Sequence, residues 1–125
     1  MAEVIISTSG MTFEDLVAIA RHNATVSISS DSLAAMQSSR DYVEELAASD
    51  TPVYGISTGF GALANRHVSL ELRTQLQRSL IRSHAAGVGN PVEREVVRAL
   101  MALRLKTLAS GKTGVRPVIA QTMAA

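Results

Sequence analysis

An all-α fold of four to five helices carrying one glycine-rich loop is predicted. Three observations support this. Apolar residues recur three and four apart in several segments, as in Leu72, Leu76 and Leu80. Helix start and stop signals flank those segments. Three glycines gather in one stretch, V-Y-G-I-S-T-G-F-G-A-L-A from Val53 to Ala64. The chain has 125 residues and is 46% apolar, but its aromatics are only Phe13, Tyr42, Tyr54 and Phe60. One domain with an aliphatic core follows.

Residues 1–11 read as a loose N-terminal tail, and ordered structure is expected to begin at Thr12. The Thr12 hydroxyl is placed to cap a helix with Asp15 three residues on, followed by Leu16, Val17, Ile19 and Ala20. A β-branched interval, Ala24 to Ser29, precedes a second helix from Ser30 or Asp31 with Leu33, Met36, Val43 and Leu46 at helical spacing. Pro52 follows its end, because proline disfavours the α conformation in the residue before it. A third helix is expected from Ser69 towards Ala86, stacking Leu72, Leu76, Leu80 and His84, with Gly87 as its stop. A fourth is expected to open with Asn90 as N-cap, Pro91 at the first helical position and Glu93 reaching back, and to carry Val92, Val96, Leu100, Leu103 and Thr107 to Gly111. Pro117 opens a fifth. The apolar ending Q-T-M-A-A suggests the front piece of a longer polypeptide.

Twelve Lys+Arg against eleven Asp+Glu leave a formal charge of +1 without any block of like charge. No nucleic-acid partner is therefore expected. The absence of cysteine excludes disulfides, thiolate nucleophiles and Cys-ligated metals, and fits a cytoplasmic location. The acidic start, M-A-E-V-I-I, lacks the basic residues of a secretory signal, and no apolar run approaches a membrane span.

Gly59-Phe60-Gly61-Ala62-Leu63-Ala64 fits G-x-G-x-x-A, but a dinucleotide turn needs an acid about 20 residues on, at the end of a second strand. Ser79 to Ile81 stand there, inside a helical pattern. The loop is then either a tight turn or a functional loop that places Tyr54 beside uncrowded backbone. His22 and His67 lack partners at metal-ligand spacing and read as surface residues. Glu44/Glu45 and Glu93/Glu95 read as solvated faces and caps. No metal site is expected.

Three blocks in order carry a resemblance: Y-G-I-S-T-G-F-G from Tyr54, L-Q-R-S-L-I-R-S-H-A-A-G-V-G-N-P from Leu76, and L-A-S-G-K-T-G-V-R-P from Leu108. Together with T-F-E-D-L-V-A-I-A-R from Thr12, they resemble the N-terminal part of the histidine ammonia-lyase family over residues 12–125. The resemblance implies a helical, homotetrameric lyase that converts L-histidine to urocanate and ammonia without oxidation. It implies a methylidene-imidazolone electrophile cyclised from the protein's own Ala-Ser-Gly, with no metal. By position in the motifs, Tyr54 matches the base that takes the substrate β-proton, a role a weakly acidic phenol fills only if nearby dipoles or cations favour its anion. His84, after Ser83, matches the substrate-selecting position, and Gly61 lines the same pocket. Ser57 stands where relatives often carry Asn.

Ala109-Ser110-Gly111 has the cyclising composition, but Lys-Thr-Gly-Val-Arg-Pro follows it where the family's cyclising tripeptide is followed by Asp-Leu-Ala-Pro. It reads instead as a helix end with a glycine cap. The electrophile is thus expected outside this chain, and the 125 residues alone are expected to be inactive. Two alternatives stand beside this reading: a tyrosine or phenylalanine ammonia-lyase or aminomutase, and a non-catalytic helical assembly module.

Overall fold

A computed structural model describes residues 2–125. The described residues form five α-helices, one 3-10 turn and two short strands. No internal boundary is visible in the sequence, yet the backbone folds as two compact units. One runs to Tyr42 and resumes at Pro91–Ala125; the other is Val43–Asn90.

In the first unit, the stretch that reads as a loose tail over residues 1–11 contains regular structure. Glu3–Ile6 form strand β1, paired in parallel with β2, Thr25–Ile28, in the register Val4 to Val26 and Ile6 to Ile28. Val4 and Ile6 are buried, whereas Ile5 is exposed. The partner strand is remote in sequence, so nothing local to residues 1–11 announces the pairing. Parallel strands need a crossover, and helix α1, Phe13–Arg21, supplies it. The capping box forms as expected: Asp15 N–H donates to Thr12 Oγ1 at 3.1 Å and Thr12 N–H to Asp15 Oδ2 at 3.0 Å. The Thr12 amide, and then its hydroxyl, hold the Asp15 carboxyl below its ordinary value. A depressed carboxylate contributes stability above its unfolded-state value and loses it on protonation. α1 is therefore expected to loosen as pH falls through the acidic range, and Asp15→Asn to flatten that dependence in a far-UV circular dichroism titration.

Helix α2 spans Ser30–Ala48, starting where the sequence places it. In the second unit, helix α3 spans Leu70–His84 with Ser69 as N-cap, and so ends before the Gly87 stop expected from the sequence. Helix α4 spans Arg94–Ala109 with Glu93 as N-cap, not Asn90. Asn90, Pro91 and Val92 lie ahead of it without helical structure, so the start is corrected by one turn. The apolar row expected for α4 is corrected too. Val96, Leu100 and Leu103 are exposed, while the buried face is Ala102, Leu105 and Ala109. Helix α5, Pro117–Ala124, opens on its proline and buries Ala120.

The core forms two clusters. Ile6, Met36, Leu105, Ala109 and Ala120 pack together, and Val4, Ile19, Ala24 and Ala102 join α1, the strands and α4. Arg98 Nε donates to Ile19 O at 2.8 Å and Lys106 Nζ to Ser7 O at 3.0 Å, tying α4 to α1 and to the segment after β1. The Arg21–Glu95 ion pair lies in solvent and adds little.

Candidate functional site

Tyr54 and Gly61 share one loop of the second unit, and His84 ends the helix that follows it. Ser57 organises the loop. Its hydroxyl accepts from Val53 N–H at 2.9 Å, while Ile56 and Ser57 N–H both donate to Val53 O, at 3.1 and 3.0 Å. The tight turn so formed carries Tyr54 and Gly55 at its tip. Gly55 sits at φ +74°, a left-handed conformation that side chains resist. Ser57 and Thr58 are buried. Gly59 N–H donates to Arg66 O at 3.1 Å and Val68 N–H to Ser57 O at 2.9 Å, flanking the Thr58–His67 bridge and closing the loop at its base.

Tyr54 itself is 63% exposed. Its ring meets Phe60 edge to face, with centroids 6.0 Å apart and planes at 77°. Such a pair favours one ring orientation. Gly61, at φ +56°, begins the 3-10 turn Gly61–Leu63, with open space where a Cβ would project. Gly59 differs: a Cβ there would lie 2.6 Å from Leu63 Cβ and 3.0 Å from Leu63 O. Gly59→Ala is expected to cost about 1–3 kcal/mol through overpacking. A fall in the urea unfolding midpoint checks it, and an unchanged midpoint would refute the crowding.

Helix α3 is anchored at its start by Arg73. The guanidinium donates to Val68 O at 3.0 Å and to Ala47 O at 2.8 Å. At its end His84 is exposed, and its Nδ1 lies 2.9 Å from Leu80 O and 3.0 Å from Ser83 Oγ. The expected row is only partly covered: Leu76 and Leu80 are half-buried, and Leu72 is exposed. Among the described residues no hydrogen bond or ring contact joins Tyr54 to His84. Each is presented separately, a phenol on a bare-backbone turn and an imidazole on a helix end. His22 and His67 are exposed, as expected of surface residues.

Ala109-Ser110-Gly111 forms the end of α4. Ser110 Oγ donates to Thr107 O at 2.7 Å, Gly111 N–H donates to Leu108 O at 3.2 Å, and Ala109 is wholly buried. The amide and hydroxyl that a cyclisation would have to free are thus committed to the helix terminus. The tripeptide does not fit a cyclised electrophile. Among the described residues no acid-histidine group suits a metal either. A concavity of about 580 Å³ in the first unit contains Arg94 and Arg98. Those arginines are engaged by Asn23 Oδ1 and Ile19 O.

Motif position singles out Tyr54, Gly61 and His84 as candidates. It does not single out Ser57, Phe60 and Arg73, whose contacts with Val53, Tyr54 and the Val68 and Ala47 carbonyls are seen in the folded chain. Ser57 carries the one available signal, a small hydroxyl four residues after the amide it accepts from.

Comparison with known proteins agrees with the helical architecture. The family model for aromatic amino acid lyases matches residues 11–125. Histidine ammonia-lyase of Streptomyces griseus is 63% identical over 124 residues, 99% of this chain and 24% of the relative. Its counterpart in Treponema denticola is 47% identical over 116 residues, 93% of this chain and 23% of the relative. Among solved structures, tyrosine aminomutase from Streptomyces globisporus superposes with a TM-score of 0.91 at 36% identity, covering 98% of this chain and 23% of that one. Histidine ammonia-lyase from Trypanosoma cruzi gives 0.85 at 32%, covering 97% and 23%. The chain spans about a quarter of the length of these relatives.

Proposed function

Because the chain belongs to the aromatic amino acid lyase family, we propose that it is the base-bearing and substrate-selecting portion of an enzyme that converts L-histidine to urocanate and ammonia. Identity of 63% to a histidine ammonia-lyase along nearly the whole chain carries this reading. Tyr54 Oη takes the β-proton of the bound amino acid, and the Gly55 and Gly61 backbone lets the substrate approach without side-chain obstruction. The edge-to-face contact with Phe60 favours one orientation of the phenol ring. His84 hydrogen-bonds the substrate imidazole and so selects it. Activation of the amino group is assigned to a methylidene-imidazolone formed outside this chain, and no step runs through Ala109-Ser110-Gly111. The assembled enzyme is a cytoplasmic homotetramer on this reading.

A chimera tests it. This chain replaces the matching segment of the Streptomyces griseus enzyme, and ammonia release is measured from L-histidine and from L-tyrosine. Consumption of L-histidine is expected. Turnover of L-tyrosine alone would overturn the assignment in favour of the tyrosine ammonia-lyase or aminomutase alternative, which the 36% identical structure keeps in view. Complete inactivity of a folded chimera would favour the assembly-module reading.

A further inference from the structure

We infer that Ser83, together with the Leu80 carbonyl, holds His84 in its Nδ1–H tautomer and leaves Nε2 as a hydrogen-bond acceptor for a ring N–H or O–H of the substrate. The recognition half of this inference rests on the reading of His84 as the selecting residue; the tautomer half stands on the geometry alone.

Leu80 O lies 2.9 Å from His84 Nδ1. A carbonyl oxygen has no proton to give, so a hydrogen bond of that length requires the proton to be on Nδ1. Ser83 Oγ completes the arrangement. It lies 2.8 Å from the same Leu80 O, which receives its hydroxyl hydrogen, and 3.0 Å from Nδ1, towards which a lone pair remains. The Nδ1 proton thus has two acceptors, both supplied by the last turn of α3. A neutral imidazole carries a single N–H, so Nε2 keeps its lone pair. An exposed imidazole in water prefers the opposite tautomer, which makes the local contacts decisive.

The consequence is a chemical filter. An acceptor at Nε2 pairs with an imidazole N–H or a phenol O–H and finds nothing on an unsubstituted phenyl ring. Leaving such an acceptor unpaired in a closed site rejects the analogue far more strongly than a size difference does. Ser83 is on this account a positioning residue: it acts through His84 and touches no substrate atom.

Two-bond proton–nitrogen spectra of the chain labelled with 15N-histidine test the inference at a pH where the imidazoles are neutral. The parent chain is expected to show His84 mainly as the Nδ1–H tautomer, with exposed His22 and His67 as internal references. Ser83→Ala is expected to shift the His84 population towards Nε2–H, and Ser83→Thr, which keeps a hydroxyl, to return it. Ser83 is exposed and alanine favours helix, so the variant retains α3. A parent spectrum dominated by Nε2–H overturns the inference, as does a Ser83→Ala spectrum identical to the parent's. Neither outcome depends on turnover: an inactive chimera with the expected tautomer sinks the functional reading alone.

Discussion

Tyr54→Phe in the chimera is expected to lower kcat for L-histidine by about 10²–10⁴-fold, the usual worth of a positioned acid or base. The substitution removes one oxygen from a residue that is largely in solvent. The edge-to-face contact with Phe60 survives it, because the contact belongs to the ring and not to the hydroxyl. Folding and KM are therefore expected to change little. A loss confined to kcat identifies an interaction made in the transition state. Steady-state kinetics on the two chimeras, with matched thermal unfolding, is the check. A Tyr54→Phe enzyme with nearly parental kcat would remove Tyr54 from the chemistry.

Gly111→Ala is expected to destabilise the first unit by about 2–5 kcal/mol, the sum of a backbone cost and a packing cost. Gly111 has φ +72°, where a side chain costs about 1–2 kcal/mol. Its Cβ would also stand 2.6 Å from Ala35 Cβ, 2.9 Å from Ala35 C and 3.1 Å from Ala35 O. These atoms belong to the body of α2, so relief requires a helix to move, and overpacking of that kind costs about 1–3 kcal/mol. The adjoining contact, from Gly114 N–H to Ser39 Oγ at 3.1 Å, would shift with it. Urea unfolding of the chain measures the effect. Gly10→Ala is the control: nothing lies within 4 Å of its Cβ, and a change within about 0.5 kcal/mol is expected. Equal midpoints for the two variants would refute the close approach of Gly111 to α2.

The same glycine shows how two levels of information meet. A C-terminal glycine after an apolar helix is readable from local sequence, because the left-handed cap is a backbone requirement that glycine meets. Its contact with Ala35 is not readable. The two residues lie far apart along the chain, and nothing in either segment names the other.

Helix α4 makes the same point at the scale of an element. Its existence and its end are legible from periodicity, but it carries two apolar rows, and sequence spacing favours Val96, Leu100 and Leu103. The folded unit buries Ala102, Leu105 and Ala109 instead, because that face meets Val4, Ile6, Met36 and Ala120. Periodicity says that a face is apolar, not which neighbour covers it. Strand β1 is illegible for a related reason: four residues carry too little pattern, and their partner is reached only across α1.

Local sequence thus specifies the helices with strong end signals, at Thr12, Ser30, Gly111 and Pro117, and the motif positions of Tyr54, Gly61 and His84. Capping and backbone restriction act within a few residues, so they are written locally. The buried face of α4, the pairing of residues 3–6 as a strand, and the anchoring of α3 by Arg73 to the Ala47 carbonyl emerge only on folding. Those outcomes depend on contacts between separated segments, whose free energy arises only when the chain has brought them together.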